Sequence, residues 1–300
     1  MQAKRLITTI LLSMSIFSVI DKSYGNSEFP NLKGIYFGQK LPGLISEVFA
    51  PDIVSINGRY EYGISFSPDL NEIYFSTQKE GGVASIHFSN IEDGKWQPIK
   101  KLKLTNGLKA GEMHPFVSRD GKKIYFTAYS SDFTDTKIWT ANRTNNGWSN
   151  ATKLDSPIND REVFYSILAK NGDLFYTDIF KSKTYFSAFE DGKYPKTKEV
   201  EIEFGLHPFI SPSQDYLLVD AVAKDQNRKD KDIYVYFKKT DGTWSKPINL
   251  GSAVNSNYTE TVPSVTPDGK YLFFSRYNEE EGLSNFYWVS TKVIERFRPK

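Results

Sequence analysis

One fourteen-residue pattern, repeated along the chain, constrains the fold more than any other feature. It reads Gly-Ile-Ser-Phe-Ser-Pro-Asp-Leu-Asn-Glu-Ile-Tyr-Phe-Ser from Gly63. It returns as His-Pro-Phe-Val-Ser-Arg-Asp-Gly-Lys-Lys-Ile-Tyr-Phe-Thr from His114, and as Val-Pro-Ser-Val-Thr-Pro-Asp-Gly-Lys-Tyr-Leu-Phe-Phe-Ser from Val262. Degenerate copies occupy Phe164–Thr177 and His207–Asp220. Self-similarity at a period of roughly 40–50 residues means equivalent units packed side by side, because one such unit cannot bury its own apolar faces.

Each unit reads as four short strands. In the first, Ile64–Ser67 and Ile73–Ser76 flank Pro68-Asp69-Leu70-Asn71. Proline presets φ and aspartate bonds its own backbone, so this is a tight hairpin connection. A third run follows at Ala84–Ser89, then the turn Asp93-Gly94-Lys95-Trp96, then a fourth run at Pro98–Leu104. The same order recurs around Gly147-Trp148, Asp191-Gly192-Lys193-Tyr194 and Asp241-Gly242-Thr243-Trp244. Four antiparallel strands per repeat predict an all-β, five-bladed β-propeller. The fifth repeat lacks a fourth strand, and Lys292–Arg298 reads as a short terminal helix instead. Residues 51–56 are expected to supply the missing strand and close the ring, which removes an open sheet edge. Trp96, Trp148 and Trp244 are expected to pack blade against blade, and Trp139 and Trp288 to lie in the core.

Residues 1–25 read separately as a signal peptide. Lys4 and Arg5 precede an apolar run over Leu6–Ile20, too short for a membrane span of ~20 residues, and Ser23-Tyr24-Gly25 offers a cleavage site. Residues 26–50 are then a lead-in and 51–300 the propeller. The expected address is periplasmic or secreted, with no membrane span after cleavage. Without Lys4, Arg5, Lys22 and Asp21 the chain carries 35 basic and 35 acidic residues, an even balance that argues against a nucleic-acid partner. The absence of cysteine excludes thiol catalysis and a lipid-attachment cysteine.

The pattern Ser-Pro-Asp-Gly-x-x-Ile/Leu-Tyr-Phe-Ser resembles the WD40-like PD40 repeat of TolB-type β-propellers. The resemblance covers about residues 51–290. It implies an exported bacterial propeller that serves as a protein- or ligand-interaction module, and it implies no reaction.

Candidate site residues follow from aligning the repeats on Asp69, Asp120, Asn171, Ser213 and Asp268. Eight positions earlier stand Glu61, Glu112, Val163, Gly205 and Glu260, with Glu162 one step away; six positions earlier stand Gly63, His114, Tyr165, His207 and Val262. The first residues of innermost strands ring the channel mouth, so these glutamates and histidines are candidates for one opening. Two readings stay open. In one, Glu61, Glu112, His114, Glu162, His207 and Glu260 bind a ligand, and His114 and His207 hold a divalent metal. In the other they line a solvated funnel or tie blade ends together. No Gly-x-Ser-x-Gly elbow, His-Glu-x-x-His helix or phosphate-cradling loop occurs. The leading expectation is therefore a binding module, without catalysis, for an envelope protein or small ligand. The alternative is a carbohydrate-active enzyme, a glycoside hydrolase or lyase, with Glu61, Glu112 and Glu260 as its acids. Tyr129, Tyr258 and Tyr277 are candidate flat surfaces for a sugar ring or peptide side chain, and His87 reads as packing or surface.

Overall fold

The computed structural model describes residues 29–222, 229–278 and 282–299. The expected signal peptide, residues 223–228 and residues 279–281 lie outside the described residues.

Residues 60 onward form five blades, each an antiparallel sheet. The innermost strands are Tyr60–Phe66, Gly111–Val117, Val163–Leu168, Leu206–Ile210 and Thr259–Val265. The second strands are Glu72–Gln78, Lys123–Tyr129, Leu174–Asp178, Tyr216–Val222 and Tyr271–Asn278. Third strands follow at Ser85–Glu92, Lys137–Thr144, Lys183–Ser187, Lys231–Phe237 and Gly282–Ser290. Outer strands are short, as at Lys100–Leu102 and Ile248–Asn249.

The runs Ile-Tyr-Phe and Leu-Phe-Phe do not alternate with polar residues because both faces of a second strand are covered by neighbouring blades. Ile73, Tyr74 and Phe75 are buried, as are Leu272, Phe273 and Phe274. Each such aromatic contributes about 1.5–3 kcal/mol by leaving water, so the repeat is itself the core. Trp288 is fully buried and Trp139 nearly so, as expected. Trp148 of the second blade donates its indole N–H to the Tyr74 hydroxyl of the first at 3.1 Å. Trp96 instead meets the lead-in: its backbone N–H and indole N–H reach the carbonyls of Leu32 and Gly34, and Phe37 lies 4.3 Å from its ring.

The ring closes with an N-terminal strand, but not through residues 51–56. Glu47–Val48 pairs with the third strand of the last blade, Glu47 opposite Trp288 and Val48 opposite Tyr287. Residues 51–55 turn away, with Ala50 and Asp52 in the left-handed region at φ 44° and 62°. Pro51 lacks the N–H a ladder position needs, which explains the shift in register. Ser55 still clamps the blade, its hydroxyl accepting the Phe286 N–H at 3.1 Å. The expected terminal helix is a single turn, Lys292–Glu295.

Candidate functional site

All five innermost strands carry a bulge at one register. Gly63, His114, Tyr165, His207 and Val262 adopt φ of 62°, 54°, 54°, 47° and 55°, and strand pairing shifts there in each blade. Glycine adopts this conformation freely, whereas a β-branched valine does so at a cost of order 1–3 kcal/mol. The cost is offset by packing around the channel axis. His114 lies 5.3 Å from Tyr165 and 5.7 Å from His207, ring to ring, and His207 lies 5.3 Å from Tyr165. The Tyr165 hydroxyl donates to the Pro263 carbonyl at 2.5 Å. Gly63 leaves room for this plug, since a Cβ there would meet His114 Cδ2 at 2.8 Å.

A second ring holds the bulges in place. The His114 N–H donates to Ser76 of the preceding blade at 2.8 Å, the Tyr165 N–H to Thr127 at 3.1 Å and the His207 N–H to Thr177 at 3.1 Å. At the fourth joint the acceptor is a carboxylate: the Val262 N–H donates to Asp220 Oδ2 at 3.0 Å. Ser275 occupies the same register in the fifth blade, its hydroxyl buried without a hydrogen-bond partner, so four residues at this register carry hydroxyls and one is an acid.

That acid gathers partners a hydroxyl would not. Asp220 lies 2.6 Å from His207 Nδ1, accepts from Thr261 Oγ1 at 2.5 Å, and its Oδ1 stands 3.4 Å from Lys231 Nζ. Burial opposes its ionisation, yet His207, Lys231 and Thr261 outweigh burial and hold the carboxyl well below the usual carboxylate range. His114, one blade pair away, is the opposite case. Burial pushes its imidazole well below its ordinary value, neighbouring His207 adds to the shift, and its Nδ1 has no hydrogen-bond partner. A neutral imidazole and a charged cluster therefore share one floor.

Above this floor lies a depression of about 260 Å³ on the face where the innermost strands begin, walled by Tyr62, Phe133, Phe164 and Tyr277. His114, His207 and Lys231 reach it, with Gln78 and Thr259 at its sides. Of the three candidate tyrosines, Tyr277 borders this depression. Tyr129 is buried and its hydroxyl accepts the Ala84 N–H at 2.8 Å, so it joins two blades. Tyr258 is partly exposed on the link before the last blade. His87 packs on Phe75 and bonds Thr77, and burial lowers its pKa to about 4.

The glutamates do not meet the histidines. Glu61 is buried and accepts from the Ile56 N–H and from Arg59, both at 2.8 Å; burial pushes its carboxyl up to about 8 despite Arg59. Glu112 accepts from the Leu104 N–H, the Thr105 N–H and the Thr105 hydroxyl at 3.0, 2.7 and 2.6 Å. Glu260 accepts from the Ser256 N–H, the Ser256 hydroxyl and Arg276 at 3.0, 2.5 and 2.7 Å. Glu162 receives the Asp135 N–H at 2.9 Å. Glu61, Glu112 and Glu260 each fasten the segment linking one blade to the next, and the residues after them, Tyr62, Met113 and Thr261, face the depression. Among the described residues no three His, Cys, Asp or Glu side chains are grouped to hold a metal ion.

No protein-family model and no curated protein matches the chain. Among solved structures it is similar to the GH43 endo-arabinanase of Bacillus licheniformis, at 14% identity and a TM-score of 0.52 over 76% of this chain and 93% of that one. It is also similar to TolB of Acinetobacter baumannii, at 14% identity and a TM-score of 0.47 over 77% of this chain and 54% of that one. Oligogalacturonate lyase of Vibrio parahaemolyticus aligns at 14% identity and a TM-score of 0.43, over 78% and 66% of the two chains. The chain thus spans about half the length of TolB and just under two thirds of the lyase. The likeness to the endo-arabinanase is one of fold alone. No helix among the described residues is long and apolar enough to cross a membrane.

Proposed function

We propose that this chain is an exported propeller module that binds a small polar ligand in the depression over His114 and His207. One observation carries the reading. At the single joint where the repeat replaces a buried hydroxyl by Asp220, the carboxylate collects His207, Thr261 and Lys231 beside an aromatic-walled hollow. A buried charge is costly unless paired, and at three other joints a serine or threonine hydroxyl receives the bulge amide. The extra acid is therefore explained better by recognition than by fastening. Its pairing orients His207 and leaves the lysine ammonium at the opening, while the tyrosine and phenylalanine walls offer flat apolar contact. A sugar, an envelope-derived fragment or the end of a partner protein fits that mixture of groups.

The carbohydrate-active alternative draws less support. Glu61, Glu112 and Glu260, its intended acids, are occupied by linker amides and arginines. The fold likeness to an endo-arabinanase supplies no acid pair at the opening.

Thermal unfolding of the purified chain against oligosaccharides, divalent ions and envelope fragments tests the reading. A ligand at a hundred times its dissociation constant adds about 2.7 kcal/mol, and the resulting shift should vanish in Lys231→Ala and His207→Ala. A ligand whose shift survives both substitutions binds elsewhere, and the site assignment fails.

A further inference from the structure

The opposite face of the propeller, where the hairpin turns lie, carries a separate constellation. Arg119 lies in the hairpin turn just past the innermost strand of the second blade, five residues beyond His114. Its Nε is buried without a hydrogen-bond partner, and among the described residues its guanidinium enters no ion pair. Arg119 borders a depression of about 340 Å³ between the second and third blades. Lys123 and Lys170 stand on the same depression, both exposed and both outside every ion pair described. The apolar side is formed by Tyr125, Tyr194 and Phe189, the last 44% exposed.

One acid, Asp120, also borders the hollow. Its carboxylate is committed locally, accepting from the Ser118 hydroxyl at 2.6 Å and the Lys122 N–H at 3.0 Å, and these bonds hold its pKa down. Arg119, Lys123 and Lys170 therefore line one hollow with a single carboxylate whose hydrogen bonds are made elsewhere, so the hollow keeps a net positive charge, and Arg119 is a guanidinium that stays protonated even when half-buried. An unpaired cation at a partly desolvated site is unfavourable until an anion meets it. The planar guanidinium fork matches a carboxylate or phosphate in two parallel hydrogen bonds.

We infer that the turn face between the second and third blades is a second ligand site, for a small molecule bearing a carboxylate or phosphate. The oxyanion sits against Arg119 with Lys123 and Lys170 flanking it, and the body of the ligand lies on Phe189 and Tyr194. This site is independent of the one over His114 and His207, and it stands or falls alone.

Calorimetric titration of the full chain with inorganic phosphate and with benzoate, at low fixed ionic strength, tests it and separates the two oxyanions. One saturable site is expected for at least one of them. Arg119→Gln should weaken it about tenfold or more, the effect of losing a charge-assisted hydrogen-bonded partner. Lys170→Gln, on an exposed residue that the fold does not need, should weaken it severalfold. Absence of saturable binding to either anion overturns the inference, as does wild-type affinity in both variants. Binding that persists in Arg119→Gln but disappears in Lys231→Ala would place the anion on the other face and also overturn it.

Discussion

The joint between the first and second blades and the joint between the fourth and fifth are built to one plan and end in different chemistry. In the first, the Ser76 hydroxyl receives the His114 N–H at 2.8 Å and, among the described residues, holds no charged group. In the second, Asp220 receives the Val262 N–H at 3.0 Å in the same register and also holds His207, Thr261 and Lys231. The backbone geometry is shared, so the difference lies in one side chain. A regular scaffold lets a single substitution convert a fastening point into a charged cluster without disturbing the sheet. The same contrast separates the two histidines. His114, at the hydroxyl joint, is buried and neutral with an unsatisfied Nδ1, whereas His207 faces a carboxylate.

The strongest way to break the comparison is to exchange the two joint residues. Asp220→Leu should cost about 3–5 kcal/mol, because it strips the partner from a buried charge network and from the Val262 amide. Asp220→Thr restores the hydroxyl of the other joints and should lose much less stability while losing ligand binding. The reciprocal Ser76→Asp should destabilise, since a carboxylate buried at that joint would lack the partners that Asp220 has. Urea unfolding of the three variants decides the matter. Equal losses for Asp220→Leu and Asp220→Thr would show that the carboxylate carries no function beyond the joint.

Much of this architecture was legible because it repeats. The hairpin turns at Asp69, Asp120 and Asp268 and the apolar runs beside them identify five blades from spacing alone. Asp220 was legible too, since it ends the fourth repeat where Ser76, Thr127, Thr177 and Ser275 end the others. The side of the strand on which each candidate falls was not legible. Residues at successive positions point to opposite faces, and a bulge of one residue inverts that parity. Glu112 and His114 are two apart and read as neighbours on one face, yet the glutamate turns to the Leu104–Thr105 link and the histidine to the axis. Lys231 was hidden for another reason. It reaches Asp220 from the neighbouring third strand, where it pairs with Val222 and not with Asp220, so no repeat register matches them.

Acid pH sharpens the contrast between the histidines. The folded-state pKa of His114 lies well below that of an unfolded histidine, so below about 6.5 the unfolded chain takes up a proton that the folded chain refuses. Stability is therefore fully present above that pH and falls as pH drops, approaching about 1.4 kcal/mol per unit for this one group. His87, lowered to about 4 by burial, adds a limb of the same sign between 6.5 and 4. Glu61, pushed up to about 8, contributes with the opposite sign over the same range, so the His114 slope is read as the difference in denaturant unfolding between the wild type and His114→Phe from pH 7 to pH 4.5. A slope untouched by that variant would mean the ring histidine titrates freely and is not held neutral by burial.

The smallest effect tests the glutamates. Glu112→Gln keeps the shape of the side chain but turns an amide NH₂ toward the donors of Leu104 and Thr105, which should cost about 1–3 kcal/mol for a group left unsatisfied. Its effect on ligand affinity at the histidine face should be near zero, since its carboxylate serves the link between blades. This pairing of results distinguishes a fastener from a site residue in a way that neither measurement does alone. A catalytic or binding carboxylate would show the reverse, with affinity or turnover lost and stability kept or raised, because functional acids are held against the interests of the fold. Stability loss with unchanged binding would assign Glu112 to the same structural class as Ser76. It would leave Asp220 as the acid that the propeller carries for a purpose beyond its own closure.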